Sequence, residues 1–95
     1  QVFKIYCENK HQEMIESALQ TRVSGYTLHE CRGWYRGYSE NTFVIDLFGP
    51  TKLKEVEFIA EILAEVTEQD LIVVVDTVGE PHYVKKPVQS MMLVN

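Results

Sequence analysis

The chain predicts an α+β fold in the order β-α-β-β-α-β. Two stretches repeat apolar residues at helical spacing. Four shorter runs are rich in β-branched and aromatic residues, and turn residues separate the segments. The length, 95 residues, allows one small domain.

Each element follows from its own pattern. Residues 2–7 read as the first strand, with Phe3, Ile5 and Cys7 on one face and Lys4 and Tyr6 on the other. Residues 10–21 read as the first helix, because Met14, Ile15, Ala18 and Leu19 form one apolar stripe, with Asn9 as the N-cap. Gly25 ends the connection that follows. Residues 26–35 and 42–48 read as the second and third strands, joined through the turn-forming Gly37, Ser39 and Asn41. Gly49-Pro50 stops the third strand. Residues 52–66 read as the second helix, with Leu53, Val56, Ile59, Ala60, Leu63 and Val66 on one side and acidic residues on the other. Residues 71–78 read as the fourth strand. Its run LIVVV is apolar on both faces, as in a strand inside a sheet. After Gly79 the prolines Pro81 and Pro87 predict irregular chain, and residues 87–95 an apolar C-terminal tail containing Met91, Met92, Leu93 and Val94.

This order is the split βαβ, ferredoxin-like pattern: a four-stranded antiparallel sheet with two helices on one face. The other face would carry Tyr6, Val44, Phe48 and part of the fourth strand. An apolar open face of that kind predicts self-association.

Composition narrows the function classes. Hydrophobic residues make up 45% and charged residues 24%, the mixture of a soluble globular domain. No apolar run approaches the roughly 20 residues of a membrane helix, and no signal peptide is visible. The net charge of -5 argues against nucleic acid as a partner, since such binding needs a cationic surface. Acidic residues cluster on the second helix and just beyond it, whereas Arg32 and Arg36 mark the ribbon and Lys85 and Lys86 the end of the chain. Two cysteines, Cys7 and Cys31, are too few for a disulfide framework and predict a reducing, cytoplasmic setting.

The ribbon from Gly25 to Gly49 carries the strongest functional signal. Arg32, Trp34, Tyr35 and Arg36 gather two phosphate forks and two stacking rings. The same residue types dominate protein interfaces, so the cluster fits either a ligand or a neighbouring subunit. His29 and Cys31 share a strand face. With Cys7 on the neighbouring strand and Met91 or Met92 from the tail, they are weak candidates for a soft-metal site. His82 and Tyr83 have no acid–base partner placed by the sequence, and no Ser-His-Asp, Walker or HExxH pattern occurs. No catalytic residue is assigned, and the chain is expected not to be an enzyme.

The element order and the ribbon resemble the PII-like superfamily over residues 2–86. Gly25, Thr27, Glu30, Gly33, Trp34 and Arg36 look like the ribbon of PII signalling proteins. Thr27, Gly33, Trp34, Arg36, Gly37, Asn41 and Thr42 look like the cyclic-di-AMP receptor branch. Trp34-Tyr35-Arg36-Gly37 and the run from Val73 to Tyr83 are similar to CutA-like proteins. The resemblance implies a homotrimer with ligand sites in the clefts between subunits. It also implies a regulator binding a small anionic ligand, an adenine nucleotide or cyclic nucleotide, and signalling to a protein partner without membrane insertion. The ligand-binding residues it implies are Thr27, Glu30, Arg32, Gly33, Trp34, Arg36, Lys85 and Lys86. Two alternatives accompany it: a CutA-like metal-tolerance protein holding copper or zinc, and a structural trimer module. Two features depart from the PII pattern. There is no long loop between the second and third strands. Residues 64–70 (AEVTEQD) replace a Gly-rich phosphate loop with a segment holding three acids, which disfavours a polyphosphate.

Overall fold

The structure is a computed structural model and describes residues 2–88. Residues 89–95, with the methionines of the expected tail, lie outside the described residues. The elements run β1 (Phe3–Glu8), α1 (Gln12–Gln20), β2 (Gly25–Tyr35), β3 (Tyr38–Phe48), α2 (Leu53–Thr67), β4 (Leu71–Val75) and β5 (Pro81–Lys85). They form an α+β fold with one five-stranded antiparallel sheet in the order β2-β3-β1-β4-β5. Without β5 this order is compatible with a ferredoxin-like arrangement.

Alternation along the strands divides the sheet into two faces. Phe3, Ile5 and Cys7 of β1, Phe43, Ile45 and Leu47 of β3, Ile72 and Val74 of β4 and Val84 of β5 are buried. They join Ile15 and Leu19 of α1 and Val56, Ile59, Ala60, Leu63 and Ala64 of α2 in one core. Met14, which helical spacing placed in the α1 stripe, is 56% exposed at the edge of that short helix. The expected cap is corrected too. His11, not Asn9, precedes α1; it takes a left-handed conformation with φ 58°, and its carbonyl accepts from Met14 and Ile15 N–H.

The expected count of four strands is corrected to five. Pro81 and the Gly79 bend predicted irregular chain, but proline is tolerated at the first position of an edge strand, where Pro81 pairs with Val75. Asp76 builds the connecting turn: its Oδ1 accepts from Val78 N–H (3.0 Å) and Glu80 N–H (2.9 Å). With β5 outside it, β4 lies inside the sheet, and its apolar character on both faces is accounted for.

The ribbon is also longer than expected. Gly37, Ser39 and Asn41 do not share a turn; only Arg36 (φ 51°) and Gly37 (φ 88°) connect the strands, and Ser39 and Asn41 lie in β3. Positive φ at both central residues suits the right-handed twist of the flanking strands. Tyr35 pairs with Tyr38 and the register continues to Gly25 and Phe48. β1 pairs with β3 only up to Glu8 and Thr42, so the outer part of the ribbon overhangs the sheet. At the other end Gly49 has φ +119°, and a Cβ there would sit 2.9 Å from Ser24 Oγ, so only glycine fits before Pro50.

Candidate functional site

The helices leave the second sheet face uncovered. Lys4, Tyr6 and Glu8 of β1 alternate onto it, as do Thr42, Val44, Asp46 and Phe48 of β3. Leu71 and Val73 of β4 and Tyr83 of β5 extend it. Where the ribbon overhangs this face, a cavity of about 340 Å³ opens. Tyr6, Tyr35 and Tyr83 are aromatic residues along it, Trp34 borders it from the ribbon, Leu71 and Val73 add an apolar floor, and Glu8, Glu40, Thr42 and Gln69 bring polar groups. Among the described residues no lysine, arginine or histidine lines it. Its volume falls within the range of about 300–1,000 Å³ usual for small-molecule sites.

Several local features place these side chains. Gly33 lies opposite Glu40, and a Cβ on it would come within 2.7 Å of Thr42 Oγ1. Glycine there keeps the cavity open beneath the ribbon. Gln69 follows Glu68, whose φ of 60° closes α2 with Gln69 N–H donating to Ala64 O at 2.9 Å. Gln69 Oε1 then accepts from Glu8 N–H at 2.8 Å, tying the end of α2 to the end of β1.

The residues expected to bind ligand are divided by the fold. Gly33 and Trp34 line the cavity. Thr27 lies on the open face opposite Asp46, farther along the ribbon, and Glu30 lies opposite Phe43 on the other face. Arg32 lines a separate shallow cleft with Ser39, Glu40 and Asn41. Arg36 is at the ribbon tip, its guanidinium 5.3 Å from the centre of the Tyr35 ring. Lys85 sits on β5, opposite Leu71, and Lys86 N–H donates to Asp70 O. The ribbon and the lysine pair therefore occupy opposite edges of the sheet. They do not converge within the chain.

The candidate metal ligands do not converge either. His29 and Cys31 are on the open face, whereas Cys7 points into the core, and β3 separates β1 from β2. Burial pushes the Cys7 thiol up to about 12, leaving it a poor ligand and a poor nucleophile. His29 Nε2 instead meets Asp46 Oδ2 at 3.1 Å, and Lys4 Nζ donates to Asp46 Oδ1. These bonds, the lysine's first, hold the Asp46 carboxyl below the usual carboxylate range. His82 is also paired: its Nε2 lies 2.9 Å from Asp76 Oδ2.

Sequence reasoning missed Glu8, Glu40, Gln69 and Leu71 as site residues. They lie on four different segments, and no local motif links them. The aromatic ribbon was the one visible signal. Among the described residues, no helix is long and apolar enough to cross a membrane.

No family model matches the chain, and no curated protein sequence matches it. Among solved structures it is similar to a phage SAM lyase in complex with S-methyl-5′-thioadenosine, with a TM-score of 0.65 and 15% identity over 87% of each chain. At this identity the likeness shows a shared fold. It also overturns the expectation of a non-enzyme, because that neighbour is an enzyme built on the same fold.

Proposed function

We propose that this chain is an enzyme that cleaves a carbon–sulfur bond of an adenosyl sulfonium such as S-adenosylmethionine, leaving 5′-methylthioadenosine. The observation that carries the reading is the composition of the open-face cavity: four aromatic and two acidic residues and, among the described residues, no cationic one. Rings and carboxylates attract a sulfonium and offer stacking surfaces to an adenine. A phosphate would meet Glu8 and Glu40 and be repelled, so the lining favours a cation over the anionic ligand expected from the sequence. The fold shared with a SAM lyase supports the same choice of substrate class.

The chemistry suits the site. When the bond breaks, the electron pair stays on sulfur and the positive charge there disappears. A neutral thioether leaves without help from a general acid. The apolar floor of Leu71 and Val73 favours the neutral product over the cation. Glu8 and Glu40 draw the sulfonium in. One of them takes a proton from the carbon next to the one that loses sulfur, so that the C–H electron pair becomes the C=C bond of the released fragment as the C–S pair passes to sulfur.

The ferredoxin-like and PII-like classification belongs to this reading, supported by the strand order β2-β3-β1-β4 and the ribbon. So does the homotrimer: Tyr6 is 38% and Phe48 43% exposed on the open face, which packing against further copies would cover. A monomeric mass in sedimentation at micromolar concentration would overturn the assembly.

The activity is tested by incubating the protein with S-adenosylmethionine and following methylthioadenosine by chromatography. Formation of the thioether, reduced in Trp34→Ala and Glu40→Gln, is the expected result. No product at protein concentrations stoichiometric with substrate would sink the lyase reading.

A further inference from the structure

We infer that Gln69 is the residue by which the open-face cavity recognises the α-carboxylate of its ligand. The inference rests on the adenosyl-sulfonium reading and adds to it how the amino-acid end of the substrate is held. Three observations combine. First, Gln69 lines the cavity beside Glu8 and Glu40. Second, the amide orientation is settled by its partner: Glu8 N–H can only donate, so the atom 2.8 Å from it is the oxygen. Third, the hydroxyl of the fully buried Thr67 lies 2.8 Å from the same oxygen and 2.8 Å from Leu63 O, sharing one proton between them. The oxygen is engaged on both sides, and Nε2 is left with two N–H donors.

A pinned donor in a cavity with two carboxylates has a specific use. An amino-acid end carries an ammonium and a carboxylate a few ångströms apart. Glu8 and Glu40 accept from the ammonium. Neither can take the carboxylate, which they repel. Gln69 Nε2 can donate to it, and because Glu8 N–H already fixes the side chain, binding does not have to immobilise it. Gln69 belongs to the segment between α2 and β4, and the αL conformation of Glu68 turns the chain so that the side chain reaches the end of β1.

The test uses two uncleaved probes in calorimetric titration of the whole protein: sinefungin, an amine analogue with the amino-acid end, and methylthioadenosine, which lacks it. Gln69→Met removes the donors without adding charge, and Gln69→Glu keeps an oxygen for Glu8 N–H while placing a carboxylate against the ligand's own. Thermal melting confirms that each variant folds. The expected result is that both weaken sinefungin about tenfold or more and change methylthioadenosine less than about twofold. Equal weakening of the two probes, or no change in either, overturns the assignment of Gln69 while leaving the adenosyl site intact. If the unaltered protein binds neither probe, the adenosyl-sulfonium reading itself fails and the inference falls with it.

Discussion

The two faces of the sheet are made by the same strands and behave as different materials. On the covered face Phe43, Ile5, Ile45 and Val74 are fully buried against the helices. On the open face Tyr83 is 65% and Leu71 36% exposed, and a Lys4–Asp46–His29 cluster interrupts the apolar surface. Adjacent residues such as Cys7 and Glu8 fall on opposite sides of this divide. A residue's contribution to stability or to binding is thus set by its parity in the strand.

The largest expected effect that tests the contrast is on the covered face. Phe43→Ala should cost about 3–5 kcal/mol of stability, read as a large drop in melting temperature, because the cavity it leaves cannot be refilled. A loss under about 1 kcal/mol would mean that the covered face is not the stabilising one. Tyr83→Ala, on the open face, should change stability by no more than about 0.5 kcal/mol. It should weaken methylthioadenosine by roughly 5- to 150-fold, the range of one lost stacking contact of about 1–3 kcal/mol. If its binding matched that of the unaltered protein, the cavity would be misassigned.

The smallest expected effect concerns the edge of the sheet. Asp76 holds the β4–β5 turn, and its pKa is lowered, first by the His82 hydrogen bond and then by the Glu80 and Val78 N–H groups. A lowered carboxyl stabilises the fold above its unfolded pKa of about 3.9 and loses that contribution as pH falls through the folded value. Amide exchange in β5 should therefore accelerate, relative to its intrinsic rate, below about pH 4, before β1 opens. Simultaneous opening of β1 and β5 would show that the edge strand is no weaker than the centre.

Much of the fold was legible in local pattern. The alternation Phe3-Ile5-Cys7 and the helical spacing of Val56, Ile59, Ala60 and Leu63 each report one buried side, and those sides share one core. The edge strand was not, because proline statistics describe strand interiors while Pro81 begins an edge. The ribbon turn was misplaced because Ser39 and Asn41 look like turn residues. Pairing of Phe43, Ile45 and Leu47 with β1 fixes β3 in register and leaves Arg36 and Gly37 to reverse the chain.

The sequence alone determined the alternating strands, the two amphipathic helices and an aromatic ribbon with a binding role to explain. Periodicity and residue type are local, so one strand's worth of chain is enough to state them. Only the tertiary structure decided what meets at the site. Glu8 and Gln69 are 61 positions apart and joined by one hydrogen bond, and Trp34 borders the same cavity as Leu71. It also moved Arg36, Lys85 and Lys86 away from that cavity and left carboxylates there. The charge of a pocket depends on which strand ends the sheet order brings together, and that order is written in long-range pairing.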